Sequence, residues 1–450
     1  MMAKRAATGN ASEREHGAGE WRRSARQVFQ EALAQSTIRQ AFARHVNHDH
    51  GVLRVCDDLY ALSAYPRLSA ISIGKGAHSM AEALVEQVGA SLDGIVAGST
   101  DPVTQLRGFR YFRGGHPLPN PESLAAGRAI LRYVEHQPPQ ALVIFLISGG
   151  GSACVEYPID DAISLGDLVK TYEVLVHSGA PIAEINAIRK HLSGIKGGRL
   201  ARAAAPAQQV SIMVSDVPDK ALDSLSSGLT MPDSTTVEDC YRIAERHGMV
   251  KEFPPAVHEL FTKHILEETP KSDDPAFVRA RWWPVLSNTS VLQAAAAKAA
   301  AYGFSVEVDN SCDDWDYAKA ADYLLNKLRK LRQGGSRACI VSGGEVTVKV
   351  KAKHGVGGRN SHFALYCAEE IGGENITVLS AGTDGIDGNS AAAGAVADGT
   401  TLERAKTLGL NAAKSLAGFD AFGFFDRLGD AIVTGPTGNN LRDLRVLMAW

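Results

Sequence analysis

The chain has 450 residues and a formal net charge of −3, with 45% hydrophobic and 22% charged residues. That length exceeds what one hydrophobic core supports and predicts two domains. The composition excludes disorder, collagen and coiled coil as descriptions of the whole chain. The charge balance leaves no global basic field for nucleic acid, although a local basic cluster can still hold a small anion.

Residues 1–27 are polar and have no apolar signal core, so they read as a disordered lead-in. From residue 28 onward, short apolar runs alternate with helical patterns. The expected strands are Ser69–Ile73, Asp93–Ala97, Leu142–Ile147, Val210–Val214, Ala338–Val341 and Thr377–Ala381. Most are continuously apolar, as in strands covered on both faces. Helical spacing marks Ala77–Gln87, Glu122–His136, Leu165–His177 and Val291–Ala301. The alternation predicts a doubly wound α/β architecture. In Glu345–Lys351 valines alternate with polar residues, which predicts a half-buried antiparallel strand and so a mixed second sheet. The charged, proline-bearing stretch from about His247 to Trp283 reads as the joint. The expected organisation is a mostly parallel α/β domain over 28–282 and a second α/β domain with a mixed sheet over 283–450. No apolar run reaches membrane-spanning length. Cys56, Cys154, Cys240, Cys312, Cys339 and Cys367 form no C-x-x-C pair, which suits a reducing, cytoplasmic setting.

Ligands of open α/β sheets gather beyond the carboxyl ends of strands. Here those positions carry Gly74-Lys75-Gly76, Ser148-Gly149-Gly150-Gly151-Ser152, Ser215-Asp216-Val217-Pro218, Ser342-Gly343-Gly344-Glu345 and Gly382-Thr383-Asp384-Gly385-Ile386-Asp387-Gly388. Glycines let backbone N–H groups approach an anion. Ser148–Ser152 is the best phosphate loop, with Gly343, Gly344 and Glu345 a second candidate; each alone also reads as a tight βα turn. Lys75 is a point cation suited to a phosphate. Arg359, between Gly358 and Asn360, is a planar fork for phosphate or carboxylate. Asp216, Asp384 and Asp387 can hold Mg²⁺ or accept a hydroxyl proton, or serve as turn residues. In Glu184–Arg199, Ile185, Ile188, Leu192 and Ile195 face a core, leaving Arg189, Lys190, Lys196 and Arg199 as a positive face. Arg189 and Lys190 are candidate contacts for an acidic substrate, as are Gly358 and Asn360. His116 reads as a loop residue. No Walker P-loop and no complete G-x-G-x-x-G is present.

In this order, Ile73-Gly74-Lys75, Gly115-His116-Pro117-Leu118-Pro119-Asn120, Leu146–Ala153, Glu184–Leu200, Ser215–Pro218, Ser342–Val348, Gly357–Asn360, Ala381–Gly388 and Thr434–Thr437 resemble the glycerate 2-kinase family, whose C-terminal part is called the MOFRL domain. The resemblance runs from about residue 28 to the end. It implies ATP-dependent, Mg²⁺-supported phosphorylation of D-glycerate at its 2-hydroxyl, in a cleft between two domains, with Lys75 and Arg359 as the catalytic pair and Asp216 or Asp384 at the metal. The expected partner is a small hydroxy acid, with neither nucleic acid nor membrane, and the chain is expected to form a homodimer. The sequence departs from the family pattern at Asp219-Lys220, Ser226–Thr230, Ser361-His362 and Gly438–Arg442. These changes fall in loops that shape a substrate site. Two other readings stay open: an NAD(P)H-dependent hydroxypyruvate reductase, against which the missing dinucleotide fingerprint counts, and a non-catalytic sugar-acid-binding homologue.

Overall fold

A computed structural model of the chain describes residues 2–89, 92–333, 335, 337–350 and 354–450, with side chains from residue 17 onward. It divides into two compact units, Ile38–Leu286 and a second made of Met1–Thr37 with Ser287–Trp450.

The Ile38–Leu286 unit opens on an antiparallel meander that the sequence did not reveal: β1 (Val46–Asp49), β2 (Val52–Val55) and β3 (Asp58–Ala61). His50 and Gly51, with φ of 47° and 79°, form the two-residue left-handed turn that matches the twist of a hairpin. The main sheet has β4 (Leu68–Ile73), β5 (Asp93–Gly98), β6 (Phe109–Arg113), β7 (Leu142–Ser148), β8 (Gln208–Val214) and β9 (Ala280–Leu286). Its order is β6-β5-β4-β7-β8-β9, and every pairing is parallel. The chain runs outward from β4 in one direction, then returns to start β7 on β4's other side. The switch point of the sheet therefore lies between β4 and β7. Ile71, Ile73, Val143, Phe145 and Ile147 fill the core beside helix Pro121–Glu135. A second core of Leu168, Ile188, Leu192, Ile243 and Phe261 joins the helices that follow β7.

The other unit carries β10 (Ser305–Val308), β11 (Ala338–Ser342), β12 (Ile376–Gly382), β13 (Gly394–Asp398), β14 (Ala431–Ile432) and β15 (Asp443–Ala449), in the order β10-β11-β15-β12-β13-β14. Only β10 and β11 run parallel, so the sheet is mixed, as expected. The expected strand at Glu345–Lys351 does not form: residues 345–350 pair only through a bridge from Thr347 to Asp316, and Lys351 lies outside the described residues. Both sides of β11 are already taken by β10 and β15, which leaves the alternating valines no free edge.

Residues 17–27, expected as lead-in, belong to a helix over Met2–Gln35. Trp21, Ala25, Val28, Phe29 and Ala32 form its buried stripe at helical spacing, and Trp21 meets Phe304 edge-on at 5.1 Å. Arg22 pairs with the buried Asp398. The polar residues around Trp21 hide the start of this stripe. The stretch expected as a joint holds helix Pro255–Thr262 and β9, and the division between the units falls after Leu286.

Candidate active site

At the switch point, the turn after β4 is locked onto the loop after β7. Gly74 has φ of +115°, and a Cβ there would lie 2.4 Å from the Ser148 carbonyl oxygen. Lys75 N–H donates to the Gly149 carbonyl at 2.9 Å, and Gly76 N–H donates to Ser148 Oγ at 2.9 Å. Ser148 is buried, so its hydroxyl pins the two loops together. Its carbonyl accepts from Ser226 Oγ at 2.8 Å, and Ser152 Oγ lies 2.8 Å from Ser227 Oγ. Ser226 and Ser227 hold left-handed φ of 49° and 58°, rare for residues with a side chain, and both are buried.

The loop's glycines make room for three neighbouring side chains. A Cβ on Gly149 would sit 2.0 Å from Asp216 Oδ2. Gly150, at φ +81°, would put one 3.0 Å from both Lys75 Cγ and the His116 ring. Lys75, His116 and Asp216 thus gather around Gly149 and Gly150. Lys75 is exposed. Partial burial and then the Lys75 ammonium lower the pKa of the His116 imidazole. His116, read from the sequence as a loop residue, is a neighbour of the catalytic candidate.

The basic cluster of helix Ile182–His191 and the segment after it is not an open positive face. Lys190 is buried, with Nζ 3.1 Å from both Asp223 and Asp233. Lys196 is fully buried against Glu156, which also takes Ser193 Oγ at 2.6 Å and the Tyr172 hydroxyl. Arg189 lies over the Tyr172 ring at 4.7 Å, its Nε buried without a hydrogen-bond partner. Arg199 donates to the carbonyls of Lys190 and Glu267 at 3.2 and 3.1 Å. Helical spacing correctly separates these residues from the core isoleucines, but the chain's own acids and carbonyls cover that side. The buried Lys196–Glu156–Tyr172 network left no signal in the sequence.

In the other unit, Arg359 opens helix Arg359–Glu370. Its Nε donates to Asp443 Oδ2 at 2.6 Å and one Nη donates to Asp443 Oδ1 at 3.0 Å. The same Nη lies 2.8 Å from Glu345 Oε1. Burial works against its charge, but these carboxylates outweigh it and raise the guanidinium pKa. Asn360 Nδ2 adds a third bond to Asp443 at 3.0 Å, and its Oδ1 accepts from Ser380 Oγ at 2.6 Å. Asp443, fully buried, is the anchor that sequence reading missed.

Asp387 is a helix cap. Its carboxylate accepts from the N–H groups of Asn360 and Ser361 at 2.9 and 2.8 Å and from Ser361 Oγ at 2.6 Å. Gly358 has no room for a side chain because a Cβ would meet Asp387 Oδ1 at 2.3 Å. Asp384 is half-buried and accepts from Ile386 N–H at 3.0 Å. Arg359, Asp384, Val348, His362 and Phe419 line a cavity of about 620 Å³, with the His362 and Phe419 rings stacked 5.3 Å apart.

The second phosphate loop is corrected by its bonding. The N–H groups of Gly343, Gly344 and Glu345 donate to Asn310, Asn288 and Asp313 at 3.1, 3.1 and 3.0 Å. They have no N–H left for an anion, and the Glu345 carboxylate serves Arg359. Among the described residues no three His, Cys, Asp or Glu side chains cluster as a metal site. Asp216 and Asp384 belong to different units.

A domain of unknown function (DUF4147) matches residues 24–262, and the MOFRL family model matches residues 338–443. A D-glycerate 2-kinase of Thermotoga maritima is 34% identical over 84% of this chain and 89% of its own length. The chain belongs to the glycerate 2-kinase family. A crystal structure of a Thermotoga maritima glycerate kinase has the same fold, with a TM-score of 0.83 at 30% identity over 96% of this chain and 100% of that one. A relative from Agrobacterium vitis, 32% identical over 94% of this chain and 96% of its own, carries the name hydroxypyruvate reductase. In this glycerate 2-kinase family chain the DUF4147 match holds Lys75, Ser148–Ser152 and Asp216, while the MOFRL match holds Arg359, Asp384 and Asp443.

Proposed function

We propose that the chain transfers the γ-phosphoryl group of ATP to the 2-hydroxyl of D-glycerate, giving 2-phosphoglycerate and ADP. The observation that carries this reading is the packing of an exposed lysine, Lys75, and a carboxylate, Asp216, against the glycines of one switch-point loop. Phosphoryl transfer needs little covalent chemistry from the protein and much positioning and charge neutralisation. The substrate hydroxyl oxygen attacks the γ-phosphorus as the bond to the bridging oxygen of ADP breaks, and the hydroxyl proton leaves to a carboxylate. Lys75 neutralises charge on the transferred group, and Arg359, held by Asp443, is the cation that its own unit offers to phosphate. The hydroxyls of Ser148 and Ser152 shape their loop, so what Ser148–Ser152 offers a phosphate is main chain.

Asp216 and Asp384 suit Mg²⁺, which binds through one or two carboxylates plus phosphate oxygens and water rather than in an all-protein cage. When bound, Mg²⁺ neutralises the phosphates of ATP. Asp443 is engaged by Arg359 and Asn360. Arg189, beside the Tyr172 ring, remains a candidate for the substrate carboxylate, together with Asn360 and Gly358; Lys190 would act by shaping the Ser226–Gly228 loop. Six free cysteines fit a cytoplasmic location. No helix among the described residues is long and apolar enough to cross a membrane.

The test is ADP release by the purified chain with ATP, Mg²⁺ and D-glycerate, hydroxypyruvate or tartrate. Turnover with D-glycerate is expected. No ADP from any of the three acids, with NADH oxidised by hydroxypyruvate instead, would overturn the reading.

A further inference from the structure

The Ile38–Leu286 unit has a second cavity, of about 800 Å³, at the end of the parallel sheet opposite Lys75. It opens where the strands begin: Arg67 precedes β4, Asp93 starts β5, and Arg110 lies at the start of β6. Helix Pro121–Glu135 forms another wall and contributes Arg128 and Arg132. The lining therefore holds four arginines and His136 against a single acid, Asp93.

That acid is already used, since Arg67 donates to Asp93 at 2.6 Å. Among the described residues Arg110, Arg128 and Arg132 make no ion pair. Arg110 is steadied by the Phe112 ring, 4.5 Å beneath its guanidinium. Arg128 and Arg132 are four residues apart, which puts them on one helix face. Like charges at that spacing destabilise a helix unless an anion sits between them. The floor is built rather than loose: the Tyr133 hydroxyl donates to Ser69 Oγ at 3.1 Å, and Ser69 Oγ donates to Gln137 Oε1 at 3.1 Å.

Guanidinium forks match phosphate oxygens two at a time. The cavity has the size of a small-molecule site. These four arginines gather in one cavity of a chain whose net charge is −3, which does not suit a nucleic-acid surface. We propose that this cavity binds a multiply charged phosphorylated small molecule, at a site separate from Lys75 and Asp216. A ligand here would touch the amino ends of β4 and β5, and β4 leads directly to Lys75.

Calorimetric titration of the full chain with inorganic pyrophosphate tests this. Arg128→Glu/Arg132→Glu and the milder Arg128→Gln/Arg132→Gln change exposed positions, and thermal melting checks that both fold. We expect a pyrophosphate-binding step that persists in Lys75→Ala and weakens at least tenfold in each arginine double variant. The proposal is overturned if wild type shows no binding, if Lys75→Ala removes all of it, or if both double variants bind within twofold of wild type.

Discussion

Asp443 grips Arg359 with both of its oxygens, at 2.6 and 3.0 Å, from a fully buried position at the start of β15. A guanidinium held in this way is aimed before any substrate arrives, and aim is worth much in phosphoryl transfer. Asp443→Asn should lower kcat about 100-fold, the cost of a misplaced group, while KM for D-glycerate changes far less. Asp443→Ala should in addition cost about 3 kcal/mol of stability, because it strips the counter-charge from the buried Arg445, 3.9 Å away. Urea unfolding beside steady-state kinetics separates the two effects. Equal kcat in wild type and Asp443→Asn would rule out the positioning role.

Lys75 is exposed, so its loss should spare the fold. Lys75→Ala should reduce kcat about 100-fold or more, the usual cost of deleting a group that stabilises developing charge. A rate within twofold of wild type, with an unchanged melting temperature, would remove Lys75 from the chemistry.

Gly150 tests the loop without touching a charge. Its φ of +81° disfavours any side chain, and a Cβ would press on Lys75 and His116 at 3.0 Å. Gly150→Ala should therefore depress kcat at least tenfold while circular dichroism stays native. Gly179, also left-handed at φ +74° but with open space around it, is the control: Gly179→Ala should leave kcat unchanged.

Glu156 and Lys196 form a buried pair with no exposure on either side chain. Glu156→Gln or Lys196→Met alone should cost about 3–5 kcal/mol, since each leaves an uncompensated buried group. The double variant should recover most of that loss. Strict additivity of the two single effects would show that the pair is not coupled.

Asp309 provides a pH signature. Burial pushes its carboxyl up, but hydrogen bonds from Lys327, Ser311 and Tyr323 outweigh burial and hold it at about 2. Its folded pKa lies below its unfolded value, so its contribution is present above about pH 4 and is lost as pH falls toward 2. The stability gap between wild type and Asp309→Asn should be widest near neutral pH and close over that interval. A gap independent of pH would show that the charge contributes nothing.

The parallel sheet was legible because strands covered on both faces, such as Leu142–Ser148, leave unbroken apolar runs. Lys75 and Ser148–Ser152 were legible because glycines clustered at the end of a buried strand mark a close backbone approach. What failed depends on partners distant in sequence. Val346, Val348 and Val350 show the period of a strand, but β11 has no edge to offer. Lys190 and Lys196 read as solvent-facing because Asp233 and Glu156 lie some 40 residues away in the chain. Asp443 and Arg445 interrupt β15 with charge, which masks both the strand and the anchor it carries. Asp387 read as a metal-holding, proton-accepting or turn residue, because nothing in the sequence shows that its carboxylate is taken up in capping the helix that starts at Arg359.

The helix over Met2–Gln35 has a consequence for how the chain is made. It belongs to a unit whose other residues are Ser287–Trp450, so the whole of Ile38–Leu286 separates it in the chain from the rest of its unit. During translation the side chains of Trp21, Val28 and Phe29 wait for partners of their own unit until all of Ile38–Leu286 has been made, and the first to arrive is the stretch that carries Phe304. Trimming residues 1–27, which their polar composition invites, would remove Trp21 and Arg22 from the unit that carries Arg359, taking the ring partner of Phe304 and the ion-pair partner of Asp398.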